Sequence, residues 1–193
     1  MKDDFSLYEA MLWEPDKGFF LLEPHLERLA QSAEYFQRTL DLEAVRSRLG
    51  VASEGFPSYP RKVRVEVSSA GDVLVEDEPI VSTDTISFAI AREPVEASDP
   101  FLRHKTSRRA VYDRALSDHP EVEDVILWNE RGELTESCRA NLVLEIGGRK
   151  LTPALDCGLL PGTFRAYLLA RGEIEEEVLP LELMEKADDS TIR

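Results

Sequence analysis

Apolar and polar residues recur along this chain with two different periods, and the changes of period mark its elements. Phe5 to Trp13 reads as a strand and Gly18 to Leu22 as its hairpin partner. Glu14-Pro15-Asp16-Lys17-Gly18 between them has turn chemistry: Pro presets φ, Asp bonds locally and Gly accepts positive φ. Leu26, Leu29, Ala33, Phe36 and Leu40 recur at three and four, which predicts an amphipathic helix of about fifteen residues with Pro24 in its first turn. Asp41 reads as the cap of a second helix carrying Leu42, Val45 and Leu49 and stopping at Gly50. From Lys62 to Val67 the period drops to two. Val63, Val65 and Val67 share one face and Arg64 and Glu66 the other, as in a half-buried strand. Ala70-Gly71-Asp72 turns it back into Val73 to Val75, and Ile86 to Ala91 is a further strand.

A short segment rich in proline and acid, Glu93 to Pro100, separates this half from the next. The expected division is an N-terminal α/β subdomain over 1–95 and a C-terminal subdomain over 100–193. Phe101 to Arg109 follows and reads as the opening of a helix that ends near Ser117, with Tyr112 two helical turns past Lys105 as a packing residue. Asp124 to Trp128 is an apolar strand, Asn129 to Gly132 its turn, and Leu134 to Glu136 the return. Asn141 to Ile146 is another strand. Gly158 to Arg165 is a glycine-bearing loop entering a helix that ends at Gly172. A strand over Ile174 to Val178 and a last helix over Leu181 to Ala187 close the pattern.

Composition narrows the partners. The chain has 193 residues, 42% of them hydrophobic, enough for one large domain or two small ones. Lys plus Arg is 23 and Asp plus Glu is 38, a net charge of −15, which disfavours nucleic acid and anionic membrane surfaces. A small anion at a local arginine cluster remains compatible with that charge. No apolar run approaches a membrane span, and Met1 to Asp4 does not open a signal peptide. Cys138 and Cys157 fit neither a metal spacing nor a disulfide framework and read as small packing residues in a reducing, cytoplasmic setting. No metal cluster, carboxylate pair or Ser–His–Asp order is visible.

Against that acidic background five basic or potentially basic residues crowd between Arg103 and Arg109. Neighbouring cations favour loss of a proton from Lys105, and a neutral lysine attacks carbonyls and aldehydes. The same stretch also reads as a solvated basic helix start. Gly158 to Arg165 is either an ordinary loop-to-helix turn or an anion site made of free amides and the positive end of a helix. Arg28 is a snorkelling surface arginine or a phosphate fork. Glu136, with Leu134 and Cys138 expected on its own face, is exposed or paired with a cationic nitrogen. Arg64 is a strand-surface arginine or a carboxylate binder, and Tyr8 and His104 are similarly open.

Taken in order, four segments resemble the fold type IV pyridoxal-phosphate enzymes, the class IV aminotransferases and 4-amino-4-deoxychorismate lyases. His25-Leu26-Glu27-Arg28-Leu29 with Ser32-Ala33 resembles that family's H-x-x-R-L…S-A helix. His104-Lys105-Thr106 resembles the segment that holds the Schiff-base lysine. Gly132-Glu133-Leu134-Thr135-Glu136 with Ala140-Asn141-Leu142 resembles its G-x-[ILV]-[TS]-E…x-N-[LI] signature. Thr152-Pro153 with Gly158-Leu159-Leu160-Pro161-Gly162-Thr163-Phe164-Arg165 resembles its phosphate loop. Phe5-Ser6-Leu7-Tyr8-Glu9, followed by Trp13, is similar to the start of the lyase half of fused aminodeoxychorismate synthase–lyase proteins.

The resemblance implies an α/β (α+β) fold of two subdomains with mixed sheets, flanking helices and pyridoxal 5′-phosphate in the crevice between them. It implies that Lys105 binds the cofactor and shuttles the proton, and that Glu136 faces the pyridine nitrogen. Arg28 and the backbone amides of Thr163 and Phe164 would hold the phosphate, and Tyr8 and Arg64 would bind substrate carboxylates. It further implies a homodimer acting on a small amino substrate, with a functional link to aminodeoxychorismate synthase. The reaction it implies first is release of pyruvate from 4-amino-4-deoxychorismate to leave 4-aminobenzoate, in the folate pathway. A D- or branched-chain amino-acid aminotransferase shares the same motifs. There are departures from the family pattern. Ala10 stands where a Thr is common, and Phe164 can offer only its amide. The family continues past Ala187-Asp188 into a further strand and phosphate contact, so a chain ending at Arg193 is expected to be short there. A truncated relative acting as a binding or structural domain is the third alternative.

Overall fold

The structure, a computed structural model, describes residues 4–81 and 85–185. By internal contacts the chain groups into two compact units, Met1–Ser82 with His104–Arg108 and Thr83–Arg103 with Arg109–Arg193. The division therefore precedes the Glu93–Pro100 segment, where composition places it, and Lys105 groups with the first unit rather than the second.

In the first unit β1 (Leu7–Glu14), β2 (Gly18–Phe19), β3 (Arg61–Val67) and β4 (Val73–Pro79) form an antiparallel sheet of order β2-β1-β3-β4. The register pairs Leu7 with Val67, Glu9 with Val65 and Met11 with Val63, so these side chains share a face, and all are buried. Helix α1 (Leu22–Tyr35) lies against β1 and buries Leu26, Leu29 and Ala33. It starts two residues ahead of Pro24, whose missing N–H falls among the first-turn groups that have no intrahelical partner. It closes before Leu40. Helix α2 (Leu42–Ser53) opens where the Asp41 carboxylate accepts from the Ala44 amide at 3.0 Å, as the capping pattern predicts. It runs through Gly50 instead of stopping there, because an exposed glycine costs a helix only about 1 kcal/mol relative to alanine.

In the second unit β5 (Phe88–Ile90), β6 (Asp124–Trp128) and β7 (Leu134–Ser137) form one sheet, with β5 parallel and β7 antiparallel to β6. Strands β8 (Leu144–Ile146), β9 (Arg149–Pro153) and β10 (Glu175–Glu177) form another, of order β10-β9-β8. The helices are α3 (Pro100–Arg103), α4 (Ala110–Asp118), α5 (Thr163–Ala170) and α6 (Glu182–Glu185). The continuous apolar run of β6 is explained by burial on both faces. Val125 and Leu127 pack with Tyr112, Ala115 and Cys138, whereas Ile126 packs with Leu134, Leu142, Leu144 and Leu151. Leu134 and Cys138 thus enter different clusters, not the one face expected of them, because β7 ends at Ser137. Asn141 stands outside β8 and pairs with β7 through an isolated bridge to Glu136. Ala187, the expected end of the last helix, lies outside the described residues.

Lys105 lies on no helix. Helix α3 ends at Arg103 and α4 begins at Ala110; between them Thr106 makes an antiparallel bridge to Leu7. The backbone here is claimed by pairing with β1, a contact across about a hundred residues that local periodicity does not register. The spacing of Tyr112 from Lys105 therefore has no helical meaning.

Candidate active site

The candidate residues fall into two groups, one in each unit. In the first, the lysine segment is fixed along the edge of β1. The Tyr8 amide donates to the Lys105 carbonyl at 3.1 Å, and the Ser107 amide donates to the Ser6 carbonyl at 2.9 Å. His104 anchors the near end: its Nδ1 lies 3.0 Å from Ser32 Oγ, and its ring stacks on Tyr35 at 4.4 Å. The backbone of Lys105 is thus held by a strand pairing, with the stacked His104 ring beside it. Lys105 Nζ sits 4.9 Å from the centroid of the buried Tyr8 ring, and the Arg64 guanidinium carbon sits 3.8 Å from the same centroid. Both are within reach of a cation–π attraction. Arg64 Nη2 also donates to Glu66 Oε2 at 2.6 Å. Burial pushes the Glu66 carboxyl up, but hydrogen bonds from Arg64 and Ser6 outweigh it and leave the group below its ordinary value.

Arg28 is on the other side of this strand. Consecutive residues of β1 face opposite ways, so Glu9 points toward α1 while Tyr8 points away from it. Arg28 Nε donates to Glu9 Oε1 at 2.9 Å and Nη2 to Glu9 Oε2 at 2.5 Å, a bidentate pair. His25 Nδ1 lies 2.7 Å from the same Glu9 Oε2. All three side chains are buried. Burial alone would raise the Glu9 carboxyl, but bonds from His25 and Arg28 and their charge outweigh it and lower the value. The structure therefore brings Tyr8, Arg64 and Lys105 together, and sets Arg28 with Glu9. Glu9 is missing from the sequence-based candidates although the signal is present: it is a carboxylate in line with Leu7, Met11 and Trp13, and a charge on such a face needs a partner.

In the second unit Glu136 is 4% exposed and its two oxygens are separately held. Tyr112 Oη donates to Oε1 at 2.8 Å and Asn141 Nδ2 to Oε2 at 3.2 Å. Burial, then the Glu136 charge and the hydrogen bond to it, drive the Tyr112 phenol far above its ordinary value, so it stays a donor at all ordinary pH. The Arg109 guanidinium carbon lies 4.5 Å over the Tyr112 ring, and Arg109 Nη2 donates to the Cys138 carbonyl at 2.6 Å. Tyr112 packs as expected, but its hydroxyl is spent on Glu136. Burial pushes the Cys138 thiol up to about 12 and that of Cys157 up to about 11, as suits packing residues.

The glycine loop leads into α5, whose N-cap is Gly162, with no side-chain cap. A helix leaves its first N–H groups without intrahelical partners, and such amides are able to bind an anion. Thr163 is buried at this end and Phe164 is exposed, so Phe164 brings only its amide to the loop. Arg165 points elsewhere: its Nε and Nη2 bond Thr152 Oγ1 and the Pro153 carbonyl at 3.2 and 2.7 Å, which ties α5 to β9. Gly158 has φ +87, and a Cβ there would lie 2.5 Å from the Ala97 Cα.

The sequence profile of the family described as amino-transferase class IV matches residues 6–192. A Schizosaccharomyces pombe protein provisionally named an aminodeoxychorismate lyase is 31% identical over 183 residues, spanning 91% of this chain and 78% of its own length. The crystal structure of a provisionally named amino-acid aminotransferase from Mesorhizobium loti is 34% identical, with a TM-score of 0.86 over 96% of this chain and 92% of that one. A hypothetical aminotransferase from Mycobacterium tuberculosis in its pyridoxal-phosphate-bound form, 24% identical, shares the fold with a TM-score of 0.79 over 93% of this chain and 73% of that one. The donor set suits such a cofactor: a cap-free helix start for a phosphate, a buried carboxylate for a protonated ring nitrogen, and an amine for an aldehyde. The chain belongs to the amino-transferase class IV family, whose enzymes depend on pyridoxal phosphate.

Proposed function

We propose that the chain is a pyridoxal-phosphate-dependent lyase that converts 4-amino-4-deoxychorismate to 4-aminobenzoate and pyruvate. The observation that carries the cofactor chemistry is Glu136, a buried carboxylate that accepts from Tyr112 and Asn141. The lyase reaction is supported by the 31% identity to the Schizosaccharomyces pombe protein. When bound, the cofactor supplies an electron sink for the charge that develops beside the substrate amine.

The chain's own residues do the rest. Lys105 would hold the cofactor and, once the substrate amine has taken its place, would take the proton from the substrate ring carbon that bears the amine. Glu136 keeps a proton on the pyridine nitrogen. The Thr163 and Phe164 amides and Arg28 would hold the phosphate, with Glu9 fixing the orientation of the guanidinium. Arg64 takes a substrate carboxylate and Tyr8 offers a face for the ring. The enolpyruvyl group leaves with its ether oxygen and gains a proton to become pyruvate, and the ring becomes aromatic.

Transfer of an amine to a 2-oxo acid would use the same residues, and the 34% identity to the Mesorhizobium loti aminotransferase favours that second reading. The loaded protein is to be given aminodeoxychorismate with no 2-oxo acid present. Stoichiometric pyruvate and 4-aminobenzoate are expected; turnover that appears only when a 2-oxo acid is added would replace the lyase by the aminotransferase.

A further inference from the structure

Asn141 touches both ends of the second-unit site. Its Nδ2 donates to Glu136 Oε2 at 3.2 Å and to the Leu160 carbonyl of the glycine loop at 2.9 Å. Both partners are acceptors, so the amide must present its nitrogen to them and its oxygen the other way. That oxygen fills the space beside Gly162: a Cβ built on Gly162 would lie 1.8 Å from Asn141 Oδ1 and 3.1 Å from its Cγ. Gly162 has φ −62 and ψ 135, which any residue adopts, so its backbone does not require glycine. Its neighbour does. The Asn141 backbone is itself set by the bridge to Glu136.

We infer that Asn141 is a positioning residue that fixes the Glu136 carboxylate and the start of α5 relative to one another, so that the ring-nitrogen and phosphate ends of the cofactor are held as one unit. This rests on the roles proposed above for Glu136 and the loop. A residue that only closed the loop would act on phosphate binding alone. A residue that couples the two makes the loop and the carboxylate depend on each other.

The test is a cycle of Glu136→Gln, Asn141→Ala and the double variant, titrated with pyridoxal phosphate and with phosphate-free pyridoxal. Glu136→Gln is expected to weaken pyridoxal-phosphate affinity by at least about fivefold in the native background and by less than about twofold beside Asn141→Ala. The preference for the phosphorylated form should fall in Asn141→Ala. Gly162→Ala is the independent arm and covers the case of an Asn141→Ala protein that does not fold. It is expected to shift the pH midpoint of the bound cofactor's absorption in the same direction as Glu136→Gln, because the added methyl displaces the Asn141 amide. Additive losses in the cycle, or a Gly162→Ala protein that loses phosphate affinity with an unmoved midpoint, would overturn the coupling. Absence of any cofactor binding by the native protein would remove the functional reading itself, and the coupling with it.

Discussion

Glu9 is 1% exposed and joins His25 and Arg28 in one buried cluster. Removing its charge strands a buried guanidinium, and losses of about 3–5 kcal/mol are typical of such broken pairs. Glu9→Gln is therefore expected to lower the denaturant midpoint by that order, read by urea unfolding at neutral pH. The pH dependence has a defined sign. The folded Glu9 value lies below its ordinary 4.5. Its contribution is thus complete above that pH and is lost as pH falls toward the folded value. Native stability should drop through this acid window, and the Glu9→Gln protein should show a flatter limb there. Arg64 belongs to a smaller cluster with Tyr8 and Glu66. Arg64→Ala is expected to raise KM for a carboxylate substrate about tenfold, with a smaller change in kcat, as for a lost ground-state contact. The need of Glu9 and Glu136 for partners is legible from their apolar neighbours. Which partners they take is not: Tyr112 and Asn141 reach Glu136 only through the fold.

At the scale of elements, capping and alternation carried most of the prediction. Asp41 caps α2 as its position implies, and Asp41→Ala should cost about 1 kcal/mol in unfolding free energy. A loss below a few tenths would show that the cap is frayed in solution. The alternation of Val63, Val65 and Val67 locates β3, and the two-faced burial of β6 shows as an unbroken apolar run. Lys105 is where local reading failed. A run of cations after Pro100 looks like a helix start, yet the segment pairs with β1, and only distant residues decide that. Gly50 failed differently: glycine weakens an exposed helix position without ending it.

At the scale of the molecule, the order of four short motifs predicted the family that the profile match over residues 6–192 establishes. The grouping of the chain was less legible. Composition drew a boundary at a proline-rich segment, whereas contacts return His104–Arg108 to the first unit. The lysine that chemistry singles out is thus carried on a segment that crosses from one unit's sequence into the other's structure. Its role is tested most directly by mapping where the cofactor attaches. The protein is saturated with pyridoxal phosphate, reduced with borohydride to make the lysine adduct permanent, digested, and analysed by mass spectrometry. A pyridoxyl adduct is expected on the peptide containing Lys105, and none in Lys105→Ala. An adduct confined to Lys2, Lys17, Lys62, Lys150 or Lys186, or no adduct at saturation, would contradict that role.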